Sequence, residues 1–345
     1  MVLIVICHTV KYYTFIPGHS KLNQVFNVGV YVFLLISGFL YGGKEIREYG
    51  KWLLGRVKKV VLPASVVSLC DIVLLWCLGA SLRKTTILAY VFNLQGLLFL
   101  NWDFFCLLFE EIPNLGPLWF TTIIMICYLS LPFLQSLCKW SQKGEQKILR
   151  SLFVIGTFFV IAAFFLIFHI IDLSYIFIFI VGYFLRFLGF TRDSTNPLST
   201  LILTILTIIL QFARIVIKLN WPSFEFYSMY VSLSHSILGF WIFYIAFAFE
   251  KREPEFIQHV ASSKIIREMD SLSYYIFLVH GLFCMGEILN VYKGFDNLIV
   301  STMTFLGLTL LVAGLLRKLT NRIVKITDAK GLLIFLKGNI GSAIR

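Results

Sequence analysis

Val30-Tyr31-Val32-Phe33-Leu34-Leu35-Ile36-Ser37-Gly38-Phe39 carries no charge, and its apolar setting extends over residues 25–43. A helix across a bilayer needs about 20 such residues, and this window supplies them. Working outward, comparable windows recur at 1–16, 60–80, 117–138, 150–170, 173–190, 197–217, 227–249, 271–291 and 297–317. The chain therefore reads as all-α, a polytopic membrane helix bundle with about ten transmembrane helices. Its composition agrees: 59% of the 345 residues are hydrophobic and 14% charged, with a mean hydropathy of +0.86. A soluble globule of that composition could not cover its surface with polar groups.

The net charge of +12 would point a soluble protein towards nucleic acid. Here the cations sit in short connections and at the C-terminus, where topology requires them, and nucleic acid is not expected as a partner. They collect at Lys44, Arg47, Lys51, Arg56, Lys58 and Lys59, again at Lys139 to Arg150, and again at Lys251 to Arg267. Every second connection is thus basic, which places those loops and both termini in the cytoplasm. The localisation expected is the inner or plasma membrane.

Window 1–16 is the exception. Lys11 follows His8 so closely that too few apolar residues precede it to cross about 30 Å. Either the true start lies upstream of Met1, or the segment is a half-span held against its neighbours. The amphipathic segment Lys44 to Lys59 reads as an interfacial helix leading into the third span. Residues 81–116 read as re-entrant or interfacial, because a full crossing would invert every later loop against the charge rule. Two parts result: a transmembrane domain at 1–319 and a basic cytoplasmic interfacial tail at 320–345. The seven cysteines lack CxxC spacing and indicate neither a disulfide framework nor a metal site. A cleavable signal peptide is not expected either, since no basic segment precedes Val2.

Ionisable side chains at membrane depth are the first functional candidates. At about 1.5 Å of rise per residue, His8, His235 and His280 all fall roughly 12 to 16 Å below the outer surface. Each could equally hydrogen-bond a neighbouring helix. Histidine takes and returns a proton near neutral pH, as an alcohol attacking an ester or thioester requires. His8 is the candidate general base. His280, with Glu287 two turns further along the same span, could orient a substrate or carry charge. Glu287 reads equally as an interfacial carboxylate paired with a cation. Arg56, Lys58 and Lys59, ahead of Pro63, suit an anion clamp for a phosphate-bearing cosubstrate, although topology alone also calls for cations there. Ser37 and Gly38 read as a pocket wall or as small residues between helices. Trp119, beside a loop holding Trp102, Asp103, Glu110 and Glu111, could be a sugar platform or part of an aromatic belt.

These motifs, in this order, resemble the acyltransferase-3 family of integral-membrane acyltransferases, particularly its exopolysaccharide and surface-glycan O-acetyltransferase branch. The resemblance rests on His8, on Val30 to Phe39, on Arg56-x-x-Lys59 before Pro63, on Leu118-Trp119-Phe120, Tyr128 and Pro132, and on Ser273 to His280. It implies about ten spans, a cytoplasmic acetyl-CoA cosubstrate with no bound cofactor, and an acceptor hydroxyl on a glycan or lipid-linked sugar. It also implies an essential histidine at His8 and a basic pair at Arg56 and Lys59. The family's arginine ten residues before that histidine would fall before Met1, while Tyr275 and Phe277 stand where the family has Gly and Tyr. The other classes to weigh are a multi-pass transporter or lipid-linked-sugar flippase, and an inactive acyltransferase relative.

Overall fold

A computed structural model describes residues 2–15, 25–142, 146–168, 170–221, 227–286 and 288–343, with side chains described up to residue 328, apart from residues 228 and 229. Among these the chain is all helix, without a strand. Five helices are long and apolar enough to cross a membrane: α3 (Tyr49–Cys77), α7 (Lys147–Ile167), α9 (Pro197–Asn220), α10 (Tyr227–Arg252) and α12 (Leu298–Ala343, of which Leu298–Asp328 is the apolar part). A sixth is formed if α5 (Trp119–Leu129, with the preceding turn Pro113–Leu118) and α6 (Leu131–Ser141) count as one span bent by 41°. Pro132 in the first turn of α6 explains the bend, because it lacks an N–H and its ring clashes with the carbonyl one turn back. Shorter apolar helices are α1 (Val2–Thr9, continued as a tight turn to Tyr12), α2 (Gly29–Tyr41) and α8 (Ser174–Phe187). α11 (Lys264–Cys284) is charged in its first half and apolar in its second. No helix between Ser81 and Ile112 exceeds the eight residues of α4 (Lys84–Val91), in keeping with a segment that does not span.

α2 and α8 form the most extensive helix pair, and α10 packs on α2 beside it. Glycine makes this possible. A Cβ on Gly38 would lie 2.9 Å from Phe179 C and 3.0 Å from Tyr183 N, and one on Gly182 would lie 2.9 Å from Leu35 C. Backbone therefore meets backbone, with Leu34, Leu35, Phe179 and Tyr183 fully buried around the contact. Of the two sequence-level readings of Ser37-Gly38, the close helix approach is the one visible at Gly38; Ser37 itself is buried.

The interfacial helix expected at Lys44–Lys59 takes another form. Residues 49–56 are not separate from the span but continue into it through a π-turn at Val57–Val61, in which Leu62 N donates to Val57 O. Pro63 lies just beyond and offers no N–H to Lys59 O, so the wider turn arises where an α-helical bond is missing anyway. The Tyr274 hydroxyl then donates to Val60 O at 2.7 Å, holding α11 against the π-turn. α12 likewise continues without a break past Leu319 to Ala343.

The basic segments converge on one end of the bundle. Lys139 pairs with Glu45 at 3.6 Å, Lys58 with Asp328, and Arg317 with Glu268 at 2.6 Å. Lys147 and Lys251 donate to Phe187 O and Thr195 O, satisfying carbonyls that helix ends and turns leave open.

Candidate functional site

Towards the opposite end, α1 and α11 bring two of the three predicted histidines together. The rings of His8 and His280 lie 5.2 Å apart between centroids. His280 is fully buried and His8 partly so. Several contacts fix this juxtaposition. Tyr12, one turn beyond His8, donates its hydroxyl to Cys284 O at 2.8 Å and accepts from Asn290 Nδ2 at 2.7 Å. A Cβ on Gly281 would come within 2.8 Å of Asn114 O and 2.9 Å of Pro117, so the turn Pro113–Leu118 lies directly on α11 beside His280. That turn is itself pinned from behind: Asn114 Nδ2 donates to the buried Asp71 at 3.2 Å, Ile112 N to the Tyr90 hydroxyl at 2.8 Å, and Gln95 Nε2 to Leu118 O at 3.0 Å.

The tautomer of His280 follows from its partner. Nδ1 lies 2.7 Å from Phe277 O, and a carbonyl can only accept, so Nδ1 carries the hydrogen. In the neutral ring Nε2 then holds a lone pair, and among the described residues it is buried without a partner. The arrangement offers a proton acceptor next to a second imidazole in an apolar surrounding.

A cavity of about 380 Å³ lies between α1, α2, α5 and α11, and its wall includes Ile4 and Phe277, each about one turn before a histidine of the pair. Met269 and Asp270 line its charged end, while Ile4, Phe33, Phe120 and Phe277 line the rest. Phe277 also touches the His280 ring, at 5.8 Å between centroids.

His235, expected at the same depth as the other two, turns to a different cluster. Its Nε2 lies 3.2 Å from Arg214 Nη1, and Tyr31 stacks on its ring at 5.6 Å. Tyr175 packs against Tyr31 at 4.9 Å and against Trp119 at 4.8 Å. Trp119 is thus half-buried between Tyr175 and Phe99, whereas Trp102 and Asp103, with which the sequence grouped it, are exposed. Sequence reasoning missed Arg214, which is 1% exposed, and Asp71. The signal was available, since each is a lone charge in an apolar window, the criterion that singled out His8.

The three cations ahead of Pro63 do not converge on one point. The Arg56 guanidinium lies over the Trp52 and Tyr41 rings at 5.3 and 5.7 Å, Lys58 pairs with Asp328, and Lys59 is exposed. Tyr128 closes the aromatic group around Arg56, 5.4 Å from Trp52. Glu287 falls outside the described residues; α11 ends at Cys284, so the helix does not continue two turns past His280. No group of three metal-ligating side chains occurs among the described residues.

No match was found among curated proteins or among solved structures. The family model described as Acyltransferase domain, acyltransferase-3, matches residues 1–318. That match spans every helix described above as far as the middle of α12, including both members of the histidine pair and the π-turn. The chain belongs to the acyltransferase-3 family, and its helix bundle is that of a multi-pass membrane acyltransferase.

Proposed function

We propose that the protein is a membrane O-acyltransferase that moves acetyl from acetyl-CoA to a hydroxyl of a cell-surface or lipid-linked glycan. The observation that carries this reading is the His8–His280 ring pair, next to a cavity whose wall includes Ile4 and Phe277. The donor's phosphates bind Arg56, Lys58 and Lys59, with Lys58 exchanging Asp328 for phosphate. The thioester arm follows the cavity past Met269 to Phe277, whose ring touches that of His280.

The acceptor hydroxyl attacks the thioester carbonyl carbon while His8 takes its proton. The new C–O bond forms, the C–S bond breaks, and the coenzyme thiolate recovers the proton from His8. His280 contributes its Nε2 lone pair, which accepts from the imidazolium that His8 becomes and so stabilises that charge away from water. On the acceptor side, Trp119 and His235, with Tyr31 and Tyr175, offer aromatic faces and hydrogen bonds suited to a sugar. Ser37 is a further acceptor-side candidate, as is Glu287, which lies outside the described residues.

The topology proposed is ten spans with both termini in the cytoplasm of the inner or plasma membrane. The five long helices and the bent pair account for six spans, and ten is reached by counting the three shorter apolar helices and α11 as spans as well. The clustering of basic segments at one end supports the orientation. Residues 320–345 then form a basic cytoplasmic tail.

The test measures O-acetyl groups on the host's surface glycan in a deletion strain carrying either the intact gene or a His8→Ala copy. Loss on deletion, rescue by the intact gene and failure of His8→Ala are expected. Unchanged acetylation on deletion refutes the enzyme, and full rescue by His8→Ala refutes the base.

A further inference from the structure

A second groove lies on the flank of the bundle, where α12 crosses α3 and α11. It encloses about 470 Å³. Its walls are apolar, formed by Val66 and Cys70 of α3, Leu282 of α11 and Leu315 of α12, and it carries Lys318 and Arg322 at one end. No acidic residue lines it. We propose that this groove holds one anionic phospholipid of the surrounding bilayer, its acyl chains along the apolar walls and its phosphate on Lys318 and Arg322.

Three observations carry the proposal. First, Lys318 and Arg322 stand one helical turn apart, both exposed, and among the described residues neither has a carboxylate within salt-bridge distance. Their neighbour Arg317 is committed instead to Glu268 and Ser271, each at 2.6 Å. α12 thus divides its cations between a protein partner and an open groove. Second, the groove reaches along α12 from Val312 to Arg322, a rise of about 15 Å. That is half of a hydrocarbon core of about 30 Å, the depth of one leaflet. Third, the cations lie at the basic end, where Lys58–Asp328 and Lys139–Glu45 also gather, which is where headgroups meet the protein. Long cationic side chains near helix ends also snorkel without binding any particular lipid. A fixed site differs in having an occupant whose retention depends on those two residues.

The experiment uses the full chain in detergent and native mass spectrometry with dioleoyl-phosphatidylglycerol or dioleoyl-phosphatidylcholine. The double variant Lys318→Gln/Arg322→Gln is compared with Arg83→Gln/Lys84→Gln, which loses the same charge at the other end. Each juxtamembrane cation is worth about fivefold in anionic-lipid affinity, so the first double variant should bind phosphatidylglycerol about 25-fold more weakly. The control should not change. As an independent readout, Cys70 in a background with Cys77 and Cys106 replaced by serine should be slower to label with a maleimide when phosphatidylglycerol is present. Equal retention of the two lipids, or undiminished binding by Lys318→Gln/Arg322→Gln, overturns the proposal. So does displacement of the lipid by inorganic phosphate, which would mark a soluble-anion site, or a strong preference for a polyprenyl phosphate, which would mark an acceptor site.

Discussion

Replacing Gly38 with alanine tests the closest packing in the bundle. The new methyl would sit 2.9 Å from Phe179 C and 3.0 Å from Tyr183 N, with Phe179 O closer still, where ordinary contact begins at 3.4 Å. These are backbone atoms of α8, so no side chain can swing away, and α2 and α8 must separate by at least about 0.5 Å. A gap of 0.5–1 Å forfeits roughly a quarter to a half of each dispersion contact across the interface. Overpacking of this kind costs about 1–3 kcal/mol. At about 2 kcal/mol the ratio of folded to unfolded protein falls about 30-fold. Gly182→Ala should cost as much, because its methyl meets the backbone of Leu35 and Phe39 in the same way. The double variant should lose less than the sum, since one separation of the two helices relieves both clashes. The assay is unfolding in mixed micelles with a rising fraction of denaturing detergent, followed by tryptophan fluorescence. Gly156→Ala and Gly307→Ala, which meet nothing within 4 Å, serve as controls and should be neutral or slightly stabilising. A Gly38→Ala variant within about 0.5 kcal/mol of the parent, or strict additivity of the pair, would refute the reasoning.

Three further outcomes are expected. His8→Ala and His280→Ala should each lower acyl transfer by about 10²–10⁴-fold, the range of positioned acid–base groups, with unchanged elution on size exclusion; near-normal transfer by either variant counts against a shared proton. Arg56→Ala should raise KM for the acyl donor about ten- to a hundredfold, the worth of a hydrogen bond to a charged group, and Arg56→Lys should recover only part of it, because lysine lacks the planar face that lies over Trp52 and Tyr41. Tyr274→Phe should destabilise the protein by about 1 kcal/mol in the same unfolding assay, through loss of the bond to Val60 O.

The apolar windows were legible because a bilayer demands length and composition, which a sequence carries directly. The pairing of His8 with His280 was half legible. Helical rise fixes how deep a residue lies, and it placed all three histidines in one layer; it does not fix direction around the bundle, and His235 turns instead to Arg214 and Tyr31. The packing of Trp119 against Tyr175 was not legible for the same reason, since Tyr175 comes from a remote segment. That the segment before Pro63 leads into the third span was legible, but the π-turn joining them was not. Arg56, Lys58 and Lys59 look like a surface element, whereas backbone hydrogen bonding carries the helix straight through them.

The π-turn in α3 also sets a helical phase. Each residue turns an α-helix by about 100°, so one residue inserted puts the two halves out of step by that angle. Beyond the turn, Ala64, Val67, Ser68 and Asp71 keep a buried stripe against the bundle, while the half before it buries no residue and presents Arg56 to its aromatic neighbours. A single-residue insertion or deletion at 57–61 therefore acts as a rotation: it swings the guanidinium about the helix axis and leaves the membrane-embedded stripe in register.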